Sequence, residues 1–153
     1  MNIYMHTPIE NLRIRLSNVG DLLIDKRPSV DIEGGLSADD LMVQYSVLVK
    51  LNRPESCVDV TVTMIYASGR DTLFSGSLTS RFDVLNLKNH IMSVEGGDEF
   101  QIDNDFLPIL VNIAFGTTRG YFVHELQGTV LASYPFPMIS IENIQKRTSY
   151  QLI

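Results

Sequence analysis

The stretch from residue 105 to residue 141 most constrains the fold, because it is the one long segment whose apolar pattern is that of a helix. Asp105 is a residue type suited to an N-cap, and Pro108 is accepted by a helix only in its first turn. The run Phe106–Phe115 is apolar around most of the helical circumference. Such a helix is expected to be buried on several sides.

Runs of alternating apolar and polar residues precede this helix. They cover residues 9–25, 42–52, 57–67 and 72–85, and short turns join the last three runs. Period-2 alternation predicts strands, and tight turns between neighbouring strands predict an antiparallel meander. Because the alternation is one-sided, one face of this sheet is expected to be covered and the other to be solvated.

Composition limits the classes of partner. The chain has 153 residues, a size typical of one domain over residues 1–153, and its mean hydropathy of +0.08 suggests that some surface is buried against partners. The net charge of −6 disfavours nucleic acid and anionic lipid, and it suits encounters with cationic polypeptides.

No membrane or export segment is expected. The apolar run Phe106–Phe115 is much shorter than the roughly 20 residues that span a bilayer. The N-terminal residues lack the basic and apolar regions of a signal peptide, so a cytoplasmic location is expected. The single cysteine, Cys57, cannot form an internal disulfide.

Catalytic and metal-binding patterns are weak. His124-Glu125 has no nucleophile or second ligand at a telling spacing, and the acids between residues 98 and 105 lack the EF-hand pattern. We therefore expect no enzymatic activity, no metal and no cofactor. The alternative is a small α+β hydrolase or ligand-binding domain with a pocket under the long helix, and a structural adaptor is a third possibility.

The order of elements and several short matches resemble the SecB family of export chaperones over roughly residues 9–145. The matching segments are Asp21-Leu22-Leu23-Ile24-Asp25, Ser68-Gly69 with Asp71-Thr72, Thr118-Arg119-Gly120 and Pro137-Met138. The resemblance implies an α+β fold in which a four-stranded antiparallel sheet carries a long C-terminal helix on one face.

The resemblance also implies a homotetramer that holds unfolded polypeptide clients in apolar grooves and passes some of them to the SecA motor. In such a tetramer the long helices are sandwiched between two eight-stranded sheets. The oligomer-forming residues of the helix are then Ile109, Val111, Ile113, Gly116 and Gly120. Two glycines four apart in a helix each cost roughly 1 kcal/mol relative to alanine, so they require a packing reason or mark the helix end.

By the same resemblance, the client-binding groove is formed by the crossover after the first strand and by the proline loop after the helix. Its expected residues are Val30, Ile32, Leu36, Phe136, Met138 and Ile139. Core packing under the helix is the alternative for the last three residues.

The family's motor-docking acids match Asp21 and Asp25 on the first strand, whereas its Leu and Glu docking positions on the fourth strand are Ser75 and Ser77 here. This departure favours a dedicated client, such as an antitoxin, over general export. Residues 140–153 fit either a short helix capped by Ser140 or a strand.

Overall fold

The computed structural model describes residues 13–26, 40–69, 71–93, 100–102 and 106–153. The strands are β1 (Ile14–Lys26), β2 (Leu41–Asn52), β3 (Cys57–Ser68), β4 (Asp71–Val84), β5 (Ile91–Ser93), β6 (Phe100–Ile102) and β7 (Thr148–Leu152). The helices are α1 (Leu107–Glu125) and α2 (Ile141–Lys146), and 3₁₀ turns cover Leu87–His90 and Val130–Ser133.

Within the described residues, the main sheet has five strands in the order β1-β4-β3-β2-β7. The pairs β1–β4, β4–β3 and β3–β2 are antiparallel, which confirms the meander, whereas β7 pairs parallel with β2. The expected four-stranded antiparallel sheet is thus corrected to a five-stranded mixed sheet within an α+β fold. A parallel neighbour needs a crossover connection and cannot be recognised from tight turns.

Both open alternatives for residues 140–153 are realised in succession. The hydroxyl of Ser140 accepts a hydrogen bond from the Asn143 amide at 3.3 Å and caps α2, and β7 follows directly. At the start of α1 the N-cap position is Phe106 and not Asp105, which lies outside the described residues. Pro108 does occupy the first turn, as expected.

Helix α1 lies over β3 and β4, and the core sits between the helix and the sheet. Alternate residues of β2, β3 and β4 point into it, and the helix contributes its inner face. Val111, which was expected to face another copy, belongs to this inner face and is only 2% exposed. Its neighbour Leu110 is equally buried. Full burial of side chains of this size contributes about 1.5–3 kcal/mol each.

Strand β1 lies at one edge of the sheet, outside the cover of α1. Its pairing with β4 shifts register between Leu16 and Asn18 and again between Gly20 and Leu23, where Asp21 has a left-handed φ of 51°. Leu16 and Leu23 remain exposed on this strand. The described part of the protomer therefore leaves an apolar edge uncovered.

Gly76 marks the closest approach between the sheet and the helix. A Cβ at this position would lie 2.6 Å from Cζ of Phe122. We expect Gly76→Ala to lower the free energy of unfolding by about 1–3 kcal/mol, because a well-packed core has no room for the methyl group. Chemical denaturation measures the change. Gly20→Ala, whose Cβ would meet only the Asn18 amide nitrogen at 3.4 Å, is the control, and equal midpoints for both variants would contradict this packing.

Candidate functional site

The outer face of α1 carries apolar side chains that the described residues leave exposed. Ile109 is 50% exposed and Ile113 is 44% exposed, and Val123 is exposed further along the helix. With Gly116 and Gly120 these residues follow the spacing i, i+4, i+7, i+11 and i+14, which places them in one stripe. We call these five residues the outer stripe. Four of the five predicted oligomer-forming residues lie in it, and Val111 does not.

The two glycines of the outer stripe are not explained by packing within the described protomer. A Cβ at Gly116 or at Gly120 would meet nothing within 4 Å, in contrast to Gly76. Each glycine costs the helix roughly 1 kcal/mol relative to alanine. Small residues four apart allow two helix backbones to approach closely, so the stripe has the shape of a helix-packing surface.

A cluster of aromatic rings connects the sheet, the helix and the loop after it. The ring centroid of Phe136 lies 5.8 Å from that of Tyr66, 5.9 Å from that of Phe115 and 6.3 Å from that of Tyr45, in edge-to-face arrangements. Edge-to-face aromatic pairs add about 0.5–1.5 kcal/mol beyond the area that they bury. Phe136 is therefore a central member of the core, and it is only 3% exposed.

The Tyr66 hydroxyl fixes the loop that carries Phe136. It donates a hydrogen bond to the Tyr134 carbonyl oxygen at 2.7 Å. Burial raises the pKa of Tyr66 to about 12, although the charge of Arg119 partly opposes this shift. The phenol thus stays protonated and remains a donor at physiological pH, which holds the loop against the sheet.

Beyond Phe136 the chain presents apolar side chains to solvent. Met138 is 84% exposed, Ile139 packs partly on the core, and Ile141 is exposed at the start of α2. On the main sheet, β7 covers only Val47–Leu51 of β2, and no described residue pairs with the same edge of β2 over residues 41–46. We call Met138, Ile139, Ile141 and the uncovered edge at residues 41–46 the loop surface.

The other predicted groove and docking residues are only partly placed. Val30, Ile32 and Leu36 lie outside the described residues. Asp21 and Asp25 are exposed on β1, and Asp25 is the register partner of Ser75 on β4. Asp25 on β1 and Ser75 on β4 are thus adjacent in the sheet, and docking of a motor there stays a prediction.

The opposite face of the sheet is polar. Arg81 donates to both carboxylate oxygens of Asp59, at 2.7 and 2.8 Å, and Arg15 donates to Asp83 at 2.8 Å. The hydrogen bond from Arg15 holds the pKa of the Asp83 carboxyl below its usual range. Arg15 and Asp83 are exposed and the Arg81–Asp59 pair is partly exposed, so this face is the solvated side that the alternation predicts.

The hydrolase alternative requires a pocket under the long helix that contains His124 or the acids between residues 98 and 105. His124 is exposed, and the cavity under the C-terminal end of α1 measures about 30 Å³, room for about one water molecule. Tyr66, Phe122 and Leu131 are among its lining residues. Within the described ranges, no group of three or more His, Cys, Asp or Glu side chains is placed to hold a metal ion. Among the helices described, none is long and apolar enough to cross a membrane.

Neither a protein-family model nor a curated protein sequence matches the chain. Among solved structures it is similar to a SecB-like chaperone of Mycobacterium tuberculosis in complex with a peptide from an antitoxin, at 13% sequence identity and a TM-score of 0.38. The likeness covers 84% of this chain and 88% of the other.

Proposed function

We propose that this protein is a cytoplasmic molecular chaperone without enzymatic activity, which binds extended segments of unfolded polypeptides at the loop surface. Two observations carry the proposal: Met138 and Ile141 are exposed after α1, and no described residue pairs with the outer edge of β2 over residues 41–46. Apolar side chains and unpaired backbone groups are what an unfolded chain also exposes. A dedicated client such as an antitoxin is the narrower form of this proposal.

Each part of the loop surface supplies a different contribution to binding. Methionine is flexible and polarisable, so it adapts to clients of many sequences. Removing apolar area from water contributes about 25 cal/mol per Å² before the costs of ordering both partners. Backbone hydrogen bonds to the edge of β2 add affinity that does not depend on the client's sequence. The aromatic cluster around Phe136 and the hydrogen bond of Tyr66 hold the loop that carries Met138 in place.

We further propose that the chain acts as a homotetramer in which the outer stripes of α1 pack against one another. The stripe exposes Ile109 and Ile113 around two glycines at which a Cβ would meet no atom of the described residues within 4 Å. Close contact between helices would cover these side chains and leave the loop surface free. Transfer of clients to a SecA motor would use Asp21 and Asp25 on β1.

Met138→Ser tests the binding surface. We expect the variant, at stoichiometric amounts, to suppress the aggregation of a denatured model protein less well than wild type. The side chain is 84% exposed, so its loss should not affect folding. Its free energy of unfolding should stay within about 0.5 kcal/mol of wild type. Light scattering measures the aggregation.

Met92→Ser is the matched control, because Met92 is a 50% exposed methionine on β5. It should leave the suppression unchanged. Equal activity of the Met138 variant and wild type would remove Met138 from the binding surface. A wild-type protein that does not delay aggregation would refute the chaperone function and favour an adaptor that only oligomerises.

A further inference from the structure

Strand β7 occupies the part of the β2 edge that the loop surface leaves out. Thr148 is the register partner of Val47, and Leu152 is the partner of Leu51. The Val47 amide donates to the Arg147 carbonyl oxygen at 3.0 Å, and the Ile153 amide donates to the Leu51 carbonyl oxygen at 2.8 Å. The hydrogen bonds between β2 and β7 thus run from Val47 to Leu51. The edge at residues 41–46 of the loop surface continues the same side of β2.

Backbone pairing holds β7 more than side-chain burial does. Ser149, Tyr150 and Gln151 are exposed, and Leu152 is only partly buried against the core. The firm anchor lies before the strand, at Ile144 of α2, which is 1% exposed. Segments with few buried apolar contacts open at low free energy, so β7 can leave β2 while α2 stays docked.

The residues seated on this edge show which chemistry it accepts. Thr148–Leu152 carries no charged side chain. Its register with β2 places Thr148, Tyr150 and Leu152 on the core side, because their partners Val47, Val49 and Leu51 are buried there. Ser149 and Gln151 then point to the opposite face. Uncharged segments whose residues alternate between the two faces of a strand are common in unfolded polypeptides.

We propose that the edge of β2 at Val47–Leu51 is a strand-addition site for extended, uncharged polypeptide segments, and that Thr148–Leu152 is its built-in occupant. A client strand that starts at residues 41–46 extends along β2 by displacing β7. This inference rests on the proposed chaperone function and adds the position of the bound backbone. In the resting protein β7 covers an edge that would otherwise pair with other chains.

The competition between β7 and a client has a measurable size. The apparent dissociation constant equals the intrinsic one divided by the fraction of molecules whose edge is free. If β7 is open in about one molecule in ten, its complete release strengthens client binding about tenfold. Locking β7 in place confines clients to the loop surface and weakens their binding.

Two full-length variants test the proposal. Lys50→Cys with Gln151→Cys places thiols on register partners of β2 and β7, so that oxidation locks the strand and reduction frees it. Gln151→Pro removes the Gln151 amide. Because a parallel ladder repeats every two residues, this amide faces β2 as the Ile153 amide does, and its loss releases the strand. Gln151→Ala is the matched control, because it removes the same side chain and keeps the amide.

The probes are a labelled peptide of residues 147–153 added in trans and a reduced, carboxymethylated unfolded protein. We expect the proline variant to bind both probes about tenfold more tightly than wild type and the alanine variant. We expect the oxidised cysteine variant to bind the unfolded protein several-fold more weakly, with recovery on reduction. Fluorescence anisotropy measures both affinities.

These measurements distinguish failure of the strand-addition site from failure of the chaperone function. Unchanged affinity in the proline variant and in the oxidised cysteine variant, while wild type holds the unfolded protein, would overturn the strand-addition site and leave the chaperone function intact. Absence of unfolded-protein binding in wild type and in every variant would overturn both. Tighter binding of the trans peptide by the proline variant alone supports the displaceable strand.

Discussion

Phe136→Ala is expected to lower the free energy of unfolding by about 3–5 kcal/mol, the cost of emptying a buried phenylalanine site. The ring contacts Tyr45, Tyr66 and Phe115 in one cluster and is 3% exposed, so its removal leaves a cavity that the surrounding rings cannot fill without moving. Chemical denaturation measures the loss as a shift of the midpoint.

Met138→Ala, two residues along the same loop, is the control for this prediction. It should change the free energy of unfolding by no more than about 0.5 kcal/mol, because Met138 makes its contacts with solvent. A Phe136 variant as stable as wild type would mean that the ring is not a core residue and belongs to the loop surface. In that case its effect on client binding should equal that of Met138.

Ile113→Asp is expected to dissociate the proposed oligomer into folded single chains. Ile113 lies in the outer stripe and is 44% exposed, so the single chain tolerates the charge, whereas a helix–helix contact would bury it without a partner. Leaving a buried charge unpaired costs several kcal/mol. Multi-angle light scattering should report about four times 17.2 kDa for wild type and a much smaller mass for the variant.

Three controls separate assembly from folding. Asn89→Asp adds the same charge at an exposed position away from α1 and should not change the native mass. Val111→Asp should unfold the chain, because Val111 is buried in the core. Gly116→Ala should stabilise a separated protomer by about 1 kcal/mol and weaken an assembly in which backbones approach at that position. An Ile113 variant that keeps the wild-type mass would contradict helix-mediated assembly.

The strands were the part of the fold most open to prediction. Alternation in β2, β3 and β4 reports which residues face the core, and the short turns leave no choice of partner. The mixed sheet was not predictable in the same way, because the pairing of β7 with β2 joins residues about a hundred positions apart. Its five residues carry no continuous apolar pattern that would point to β2.

The sequence identified apolar residues of the candidate site but not which of them are exposed. The sequence singles out Phe136 and Met138 as apolar residues in one loop, but only the structure shows that the first is buried and the second exposed. Likewise, an apolar helix does not reveal which of Val111 and Ile113 faces the sheet. That choice depends on where β3 and β4 lie beneath the helix.

The sequence alone therefore determined the four strands β1 to β4, the antiparallel meander and the long helix that is apolar around most of its circumference. Those features follow from local periodicity and turn chemistry, which act over a few residues. The tertiary structure decided which apolar residues remain exposed, where β7 pairs and which part of the β2 edge has no partner among the described residues. These properties depend on contacts between segments far apart in the chain, and local patterns carry no information about such contacts.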